Sequence, residues 1–410
     1  MEYNKKIASS NRIDFMDNIR FLMVLLVVVL HMACAYNTFT TWWVVYDRGA
    51  IPFNITLLIL DIFLMPTLFF ISGYFALHSI RNKSSINFIK GKFYRLGIPW
   101  VIGAFTMGTI TAYTYLYAKG YEADFWTLFI RMTQRTFDFY TGIIDNSVNF
   151  NQYHLWFISL LLLFCVVFTL GYQLKNKLLG CSESISQKSS SNTHILLFFA
   201  LAAICSAILS IILYKNLVQH TGKEPWLMIA SVIQFQPTRI ATYIICFILG
   251  IYAFHKQWFI DGNTPLHPAV WSIISVLLIL GLFVASKANA ASGFYDITKI
   301  SIYLSIRTLA IFSIILTLLS LAGRYWQSSS AINNSLAKNS YIIYLIHMPI
   351  VYAFQFVLLK WNIPLYLKFF MGCTGSILVS YLISEYTFRR YPKRSVAAIF
   401  GLFAIALIIL

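Results

Sequence analysis

The first apolar segment of the chain carries an arginine and a histidine that a helix would place on one face. Arg20 and His31 are eleven residues apart, which at about 100° per residue is nearly three turns and ~16 Å along the helix axis. A neutral imidazole can accept a proton from an attacking hydroxyl and return it to a leaving group. A single histidine in an apolar segment is equally typical of a structural hydrogen bond between helices. The shared face favours a passage lined by both side chains, with His31 as general base.

The second apolar segment adds a carboxylate and is followed by a group of cations. Asp61 lies at a depth similar to that of the first segment's histidine and is a candidate for orienting the imidazole, although a structural hydrogen bond is its simpler role. Ser72 precedes Gly73, and small residues of this kind allow either a close approach of two helices or a local break. Lys92 and Arg95 come directly before the next apolar segment. Cations in that position can hold a phosphorylated ligand or simply set the orientation of the chain.

Further ionisable and aromatic side chains lie in or beside the later apolar segments. His154 and Trp156 open the fourth segment at the outer face, where a second substrate would arrive. Arg307 lies in the middle of the eighth segment and requires a partner, and His347 lies within the ninth. Glu385 lies near the inner end of the tenth. For each of them, packing or interfacial anchoring fits the sequence as well as a role in ligand binding.

These side chains must be positioned by the rest of the chain, and its composition is that of a multispan membrane protein. Hydrophobic residues make up 59 % of the 410 residues and charged residues 11 %, against roughly 45–50 % and ~25 % in a soluble domain. With a mean hydropathy of +0.71, this excludes the soluble globular and the disordered classes. We predict an all-α integral membrane protein of about ten transmembrane helices, each able to cross ~30 Å of hydrocarbon. The apolar runs are 19–37, 55–77, 96–118, 154–174, 194–214, 239–256, 267–286, 301–322, 340–360 and 364–386.

The distribution of basic residues predicts a cytoplasmic N-terminus. In that orientation 19 lysines and arginines lie in cytoplasmic segments and eight in the outside loops, as the positive-inside rule requires. The net charge of +17 therefore reflects topology and gives no reason to expect a nucleic-acid partner. We expect residues 1–394 to form one polytopic domain whose first span is retained and not cleaved. The apolar segment 395–410 would be an eleventh span, an interfacial helix or a buried end.

Neither the cysteines nor the histidines form a metal-binding pattern. The six cysteines include no CxxC pair and no His/Cys cluster, so we predict no metal and no disulfide framework. The long outer loop 119–153 can cover a site, whereas the serine-rich segment 175–193 is typical of a linker. Aromatic residues near the outer face, Trp43 among them, suit either sugar stacking or an ordinary aromatic belt.

Five motifs together resemble the acyltransferase-3 family of integral membrane acyltransferases, over about residues 12–394. The family combines an Arg and a His separated by ten residues in the first span, a Phe-Phe and Ser-Gly pattern in the second, and a basic pair before a Pro. Two further motifs complete the pattern. A later span starts with His-Leu-Trp-Phe, and a Ser-Tyr motif near the end of the chain closes with His-x-Pro. The ISGYF, HLWF and FILG elements are most similar to the glucan-acylating branch, although Lys92 replaces the usual arginine. The motifs are Arg20 to His31, Phe69 to Tyr74, Lys92 to Arg95 with Pro99, His154 to Phe157, and Ser340 to Pro349.

The resemblance implies transfer of an acetyl or succinyl group from cytoplasmic acyl-coenzyme A to a hydroxyl of a carbohydrate beyond a bacterial inner membrane. Acyl-coenzyme A would be a donor substrate, with no cofactor bound permanently, and membrane lipids would surround the spans. His31 would be the base, with Asp61 beside it. The residues expected to bind the donor are Arg20, Ser72, Lys92 and Arg95, and those expected to bind the acceptor are His154, Trp156, Arg307 and His347.

A transporter or flippase is the alternative function. In that case His31, Asp61, Arg307 and Glu385 would form a relay for protons or substrate within the membrane. The sequence contains no visible internal repeat, which disfavours a transporter built from inverted repeats. Release of free thiol from acyl-coenzyme A separates the two functions, because transport needs no coenzyme A.

Overall fold

The predicted spans form helices in the computed structural model of the chain. Ten helices among the described residues are long and apolar enough to cross a membrane, so the prediction of an all-α multispan protein is confirmed. The segment 395–410 lies almost entirely outside the described residues, and the predictions for it are not tested. The structure describes residues 14–39, 43–122, 124–144, 151–179, 191–221, 224–259, 264–292, 295–328 and 330–392, together with 394, 395, 397, 398 and 401.

The helices and strands are numbered in chain order. The α-helices are α1 (Asp14–Ala33), α2 (Ile51–Arg81), α3 (Ser85–Lys92), α4 (Ile98–Ala118), α5 (Phe125–Thr136), α6 (Trp156–Leu179), α7 (Asn192–Leu213), α8 (Pro237–His255), α9 (Pro268–Ala291), α10 (Ile297–Tyr325), α11 (Ala331–Leu359) and α12 (Leu365–Ile383). The strands are β1 (Gly142–Ile143), β2 (Leu227–Ile229) and β3 (Ile233–Phe235). π-Helical turns extend several spans, at Phe93–Gly97, Tyr214–Val218 and Ser384–Arg389.

Helix α1 lies in the centre of the bundle. Every residue of α1 is buried or half-buried, and the helix packs against α2, α10, α11 and α12. At its first turns, Asn18 donates a hydrogen bond to the carbonyl of Trp326, 2.9 Å away. Because protein surrounds this helix, its ionisable side chains lie among other helices and do not have to face lipid.

Helices α2 and α8 cross with almost no side chain between them. A Cβ atom on Gly73 would lie 2.0 Å from the carbonyl oxygen of Phe247, and one on Gly250 would lie 2.1 Å from that of Phe70. Glycine therefore permits backbone-to-backbone contact on both helices, as small residues do in membrane interfaces. The sequence is compatible with a close approach or a local break at this point of the second span, and the structure has the close approach. This approach fixes the position of α8 relative to α2, and hence that of the side chains Asp61 and Arg239, which the two helices hold further along.

We expect Gly73→Ala to abolish the folded protein. The added methyl group meets a backbone carbonyl, which cannot rotate away, so the cost exceeds the ~1–3 kcal/mol of ordinary overpacking. The measurement is the yield and thermal midpoint of the detergent-purified protein. Gly171→Ala in α6 is the matched control, because its Cβ would meet nothing within 4 Å. Equal thermal midpoints for the two variants would contradict the close packing of α2 on α8.

A three-stranded antiparallel sheet joins two loops at one end of the bundle. Strand β1 belongs to the loop between α5 and α6, and β2 and β3 form a hairpin between α7 and α8. Gln152 is buried beneath this sheet, donates to the carbonyl of Val232 and accepts from the indole of Trp100. The topology predicted from the spans places both loops on the same, outer side. The orientation of the whole chain remains a prediction.

Candidate active site

Three histidines from distant parts of the sequence form one cluster. His31 lies in the last turn of α1, His154 in a 3-10 turn directly before α6, and His347 in the middle of α11. The ring centroids of His31 and His347 are 5.1 Å apart, and those of His154 and His347 are 4.8 Å apart. His347 is completely buried, and His154 is 5 % exposed. The structure thus brings together three residues that the sequence marked separately.

The hydrogen bonds of His347 determine which nitrogens of the pair carry protons. Nδ1 of His347 lies 2.7 Å from the carbonyl of Tyr344 and must donate to it, because a carbonyl only accepts. Nε2 of His347 is then an acceptor, and it lies 3.0 Å from Nδ1 of His31. His31 Nδ1 must therefore carry the proton in the neutral pair. In the neutral pair this places the lone pair of His31 on Nε2, the nitrogen that does not face His347.

His154 is held by the same segment of α11. Its Nε2 lies 3.1 Å from the carbonyl of Leu345 and donates to it, while the hydroxyl of Tyr344 donates to the carbonyl of His154. Nδ1 of His154 is buried and has no hydrogen-bond partner among the described residues. Tyr153 before it has a φ of +49°, a left-handed conformation that costs about 1–3 kcal/mol in a residue with a side chain. The fold therefore holds this imidazole in place at some conformational cost.

The loop after α1 supplies a further contact to His31. The ring of Trp43 stacks on that imidazole, with 5.7 Å between centroids and 10° between planes. Gln355 of α11 accepts from the indole of Trp43 at 3.0 Å and donates to the carbonyl of His31 at 3.0 Å. A largely buried ion pair between Asp47 and Lys368, 2.7 Å long, holds the same loop on α12. Sequence reasoning missed Gln355, although a polar amide within an apolar span is a usable signal.

The three imidazoles are not arranged as metal ligands. Among the described residues there is no group of three or more histidine, cysteine or acidic side chains that could hold a metal ion. A metal site needs lone pairs that converge on one point. Here one nitrogen of His347 donates to a carbonyl and the other accepts from His31, so its ring has no lone pair left to offer.

The prediction that Asp61 orients His31 is wrong. Its two carboxylate oxygens accept from the guanidinium of Arg239 at 2.8 and 2.6 Å, and the partner of His31 Nδ1 is His347. A bidentate ion pair is much stronger than a hydrogen bond to a neutral imidazole. Depth alone led to the prediction, but α2 turns this carboxylate towards α8 and α10.

Arg307 and Trp156 lie beside that ion pair, in a second polar group. Arg307 is 5 % exposed and donates to the backbone carbonyl of Thr238 at 2.8 Å and to its hydroxyl at 3.2 Å. The indole of Trp156 stacks on Tyr243, with centroids 5.5 Å apart. A cleft between α2, α8 and α10 is lined by Asp61, Ile62, Pro66, Arg239, Thr242, Tyr243, Arg307 and Ile311. Arg307 therefore has its partner in Thr238, and lies in a different group from His154 and His347.

The residues predicted to bind a donor lie in α1, in α2 and in the segment from the end of α3 to the start of α4. Arg20 forms an ion pair of 2.9 Å with Asp17 and keeps 40 % of its side chain exposed. The amine of Lys92 lies 5.3 Å from the ring centroid of Phe88, and Arg95 is exposed. Ser72 is half-buried beside the α2–α8 crossing. Arg20 and Arg95 thus offer accessible cations, but no hydrogen bond or ion pair joins them among the residues described.

The side chains that would form the relay of a transporter lie in three separate parts of the fold. His31 belongs to the histidine cluster, whereas Asp61 and Arg307 line the cleft. Glu385 follows α12, at the other end of the bundle, where it accepts from Asn339 at 2.6 Å and pairs with Arg389. The described contacts contain no hydrogen-bonded path that joins the three places.

The comparison with protein families gives one match over most of the chain. A family model described as an acyltransferase domain matches residues 13–385. No curated protein and no solved structure matches the chain. The matched range begins before α1 and ends within the turn that follows α12, so it contains all three histidines and the cleft. Together with the ten helices of membrane-spanning length in the described part of the chain, this match shows that the chain belongs to the acyltransferase-3 family of integral membrane acyltransferases.

Proposed function

We propose that the protein transfers an acyl group, acetyl or succinyl, from acyl-coenzyme A on the cytoplasmic side to a hydroxyl of a carbohydrate on the extracytoplasmic side of a bacterial inner membrane. The observation that carries the proposal is the hydrogen bond between His31 Nδ1 and His347 Nε2. It leaves the other nitrogen of His31 free to accept a proton, in a family whose activity is acyl transfer. Acyl-coenzyme A is a substrate in this scheme and not a resident cofactor.

The chemistry needs one base that takes and returns a single proton. His31 Nε2 accepts the proton of the acceptor hydroxyl while that oxygen attacks the thioester carbonyl carbon. The resulting tetrahedral intermediate collapses, the carbon–sulfur bond breaks, and the imidazolium returns its proton to the leaving thiolate. The products are the ester and free coenzyme A, so atoms and charges balance. General acid–base catalysis of this kind contributes typically about 10²–10⁴-fold to a rate.

The central position of α1 supports a route for the donor. Arg20 lies near the first turns of this helix and His31 in its last turn, ~16 Å apart along the axis. In the predicted orientation the guanidinium is near the cytoplasm, where it would hold the phosphates of coenzyme A with Lys92 and Arg95. The pantetheine arm would then extend along α1 to the histidine cluster, with Ser72 of α2 beside its path.

The proposed reaction is tested by following both products in detergent. Purified protein is mixed with acetyl- or succinyl-coenzyme A and a crude glycan extract, and free thiol and the mass of the glycan are measured. We expect thiol release that depends on the glycan, with one acyl mass added per thiol. Proton-coupled uptake in proteoliposomes without any thiol release would instead favour transport and overturn the proposal.

We expect Arg20→Ala to raise the KM for acyl-coenzyme A by about 10–10²-fold, because a charge-assisted hydrogen bond to phosphate is lost. The turnover at saturating donor should change little. Steady-state kinetics with varied donor measure both values. Asp17→Asn removes the ion-pair partner of Arg20 but keeps the guanidinium, and Arg324→Ala removes an exposed arginine at the end of α10. A wild-type donor KM for Arg20→Ala, or the same rise in either control, would count against phosphate binding by Arg20.

A further inference from the structure

We infer that Trp43 is a positioning residue for acyl transfer, whose indole ring stabilises the imidazolium that forms at His31 during the reaction. This inference rests on the proposed function and deepens it, because it names a group that responds to the charge created on the base. The ring of Trp43 stacks on that of His31, with centroids 5.7 Å apart and planes inclined by 10°. A cation within about 6 Å of the centroid of an aromatic ring is attracted by the negative potential of its face, and tryptophan is the strongest of these partners.

The charge that develops on His31 has no carboxylate beside it. When Nε2 accepts the proton of the attacking hydroxyl, Nδ1 keeps its own proton, and the ring becomes a cation. The partner of Nδ1 is the imidazole of His347, and within the described part of the chain no acidic side chain pairs with His31. The carboxylate of Asp61 is bound to Arg239. An aromatic face attracts the imidazolium without a formal charge of its own, so the resting imidazole stays neutral and able to accept a proton.

A buried amide holds the indole in place relative to the base. An indole N–H only donates, so the atom of Gln355 that lies 3.0 Å from that of Trp43 is the amide oxygen. The amide nitrogen then donates to the carbonyl of His31 at 3.0 Å and to that of Met32 at 3.3 Å. Carbonyls in the last turn of a helix have no partner within the helix. Gln355 therefore ties the indole to the same turn of α1 that bears the imidazole.

The stacking leaves the reacting edge of the imidazole to the substrate. The lone pair of Nε2 lies in the plane of its ring, whereas a parallel stacked ring lies above or below that plane. Trp43 is 5 % exposed and also contacts Tyr352, with 5.3 Å between centroids. It therefore contacts the base from within the protein and offers little surface to a sugar.

Fluorinated tryptophans at position 43 test the inference, because each fluorine withdraws electron density from the ring and changes its volume little. Mono-, di- and trifluorotryptophan are inserted at this position alone by nonsense suppression. We expect kcat to fall stepwise with each fluorine, to about 5–30-fold below the wild-type value in the series. The KM for either substrate should not change, because the imidazolium forms only during the reaction. Fluorination makes the indole N–H a stronger donor, so the hydrogen bond to Gln355 is not weakened.

Trp271 of α9 is the matched control. It is 8 % exposed, and its indole donates to the carbonyl of Pro265 at 2.6 Å, so it is similar to Trp43 in burial and hydrogen bonding. The same series at position 271 should leave kcat unchanged. A kcat that is independent of fluorination at position 43, or an equal fall at position 271, overturns the inference.

Failure of the proposed function gives a different result. The wild-type protein would then release no thiol when acceptor is added. Normal acyl transfer by the wild-type protein, with no response to fluorine at position 43, would disprove only the role of Trp43.

Discussion

Replacement of His31 by alanine is expected to lower the turnover of acyl transfer by about 10²–10⁴-fold, the range that a positioned general base contributes. The loss should appear in kcat and in kcat/KM for the acceptor alike, because proton transfer occurs only in the transition state. The KM for acyl-coenzyme A should stay close to that of the wild-type protein, since the donor phosphates are held elsewhere. Thiol release and ester formation, measured together, give all three values.

The control for this variant is a histidine that also lies in a span but outside the cluster. His78 is half-buried near the end of α2 and contacts the ring of Phe254. We expect His78→Ala to retain turnover within a few-fold of the wild-type value. A thermal midpoint for His31→Ala close to that of the wild type would show that the fold is intact. Wild-type turnover in purified His31→Ala would disprove the assignment of His31 as the base.

The sequence predicted the helices well because hydrocarbon imposes a strong constraint on span length and composition. All ten apolar runs became spans, but their ends differ from the predicted ones. The ninth run was expected to begin at 340, whereas α11 begins at Ala331 because Ser330 caps it by accepting from the amide of Asn333. Hydropathy identifies the part of a helix within lipid, while caps and turns decide where the helix ends.

The site was less predictable because a sequence gives the depth of a side chain more reliably than its direction. His31, His154 and His347 were each marked as ionisable groups in or beside spans, but nothing in their spacing showed that they meet. Depth alone predicts Asp61 beside His31, whereas the structure pairs this carboxylate with Arg239 across the crossing of α2 with α8. Arg239 is the first residue of the run 239–256, and a cation at the edge of an apolar run does not by itself indicate an ion pair.

The two polar groups differ in the charges that they contain. In the histidine cluster, lone pairs remain on Nε2 of His31 and on the unpaired Nδ1 of His154, and the hydrogen bonds of the rings are to an imidazole or a backbone carbonyl. The cleft contains the arginines and the carboxylate. Keeping formal charges away from the base preserves a neutral imidazole that can accept a proton. A histidine therefore suits the role of orienting the base better than a carboxylate would, because it fixes the tautomer of His31 without adding a charge.

His347 is accordingly expected to act as a positioning residue, and its variants should separate that role from simple packing. His347→Leu fills a similar volume but removes the acceptor for His31 Nδ1, so both tautomers of His31 become accessible. We expect turnover to fall by about 10–10²-fold, as is typical for loss of a supporting hydrogen bond. His347→Gln places an amide oxygen near the position of Nε2, where it can accept the same proton, and should retain most of the turnover.

The tautomer of His31 gives a readout that packing alone would not change. In protein labelled with ¹⁵N-histidine, the wild type and His347→Gln should show His31 protonated at Nδ1, and His347→Leu should show a mixture of both forms. Turnover should follow the fraction protonated at Nδ1, because only that tautomer presents a lone pair at Nε2. Equal losses in His347→Leu and His347→Gln with an unchanged tautomer would mean that His347 contributes its ring to the packing and not its acceptor. Wild-type turnover in His347→Leu would remove it from the mechanism altogether.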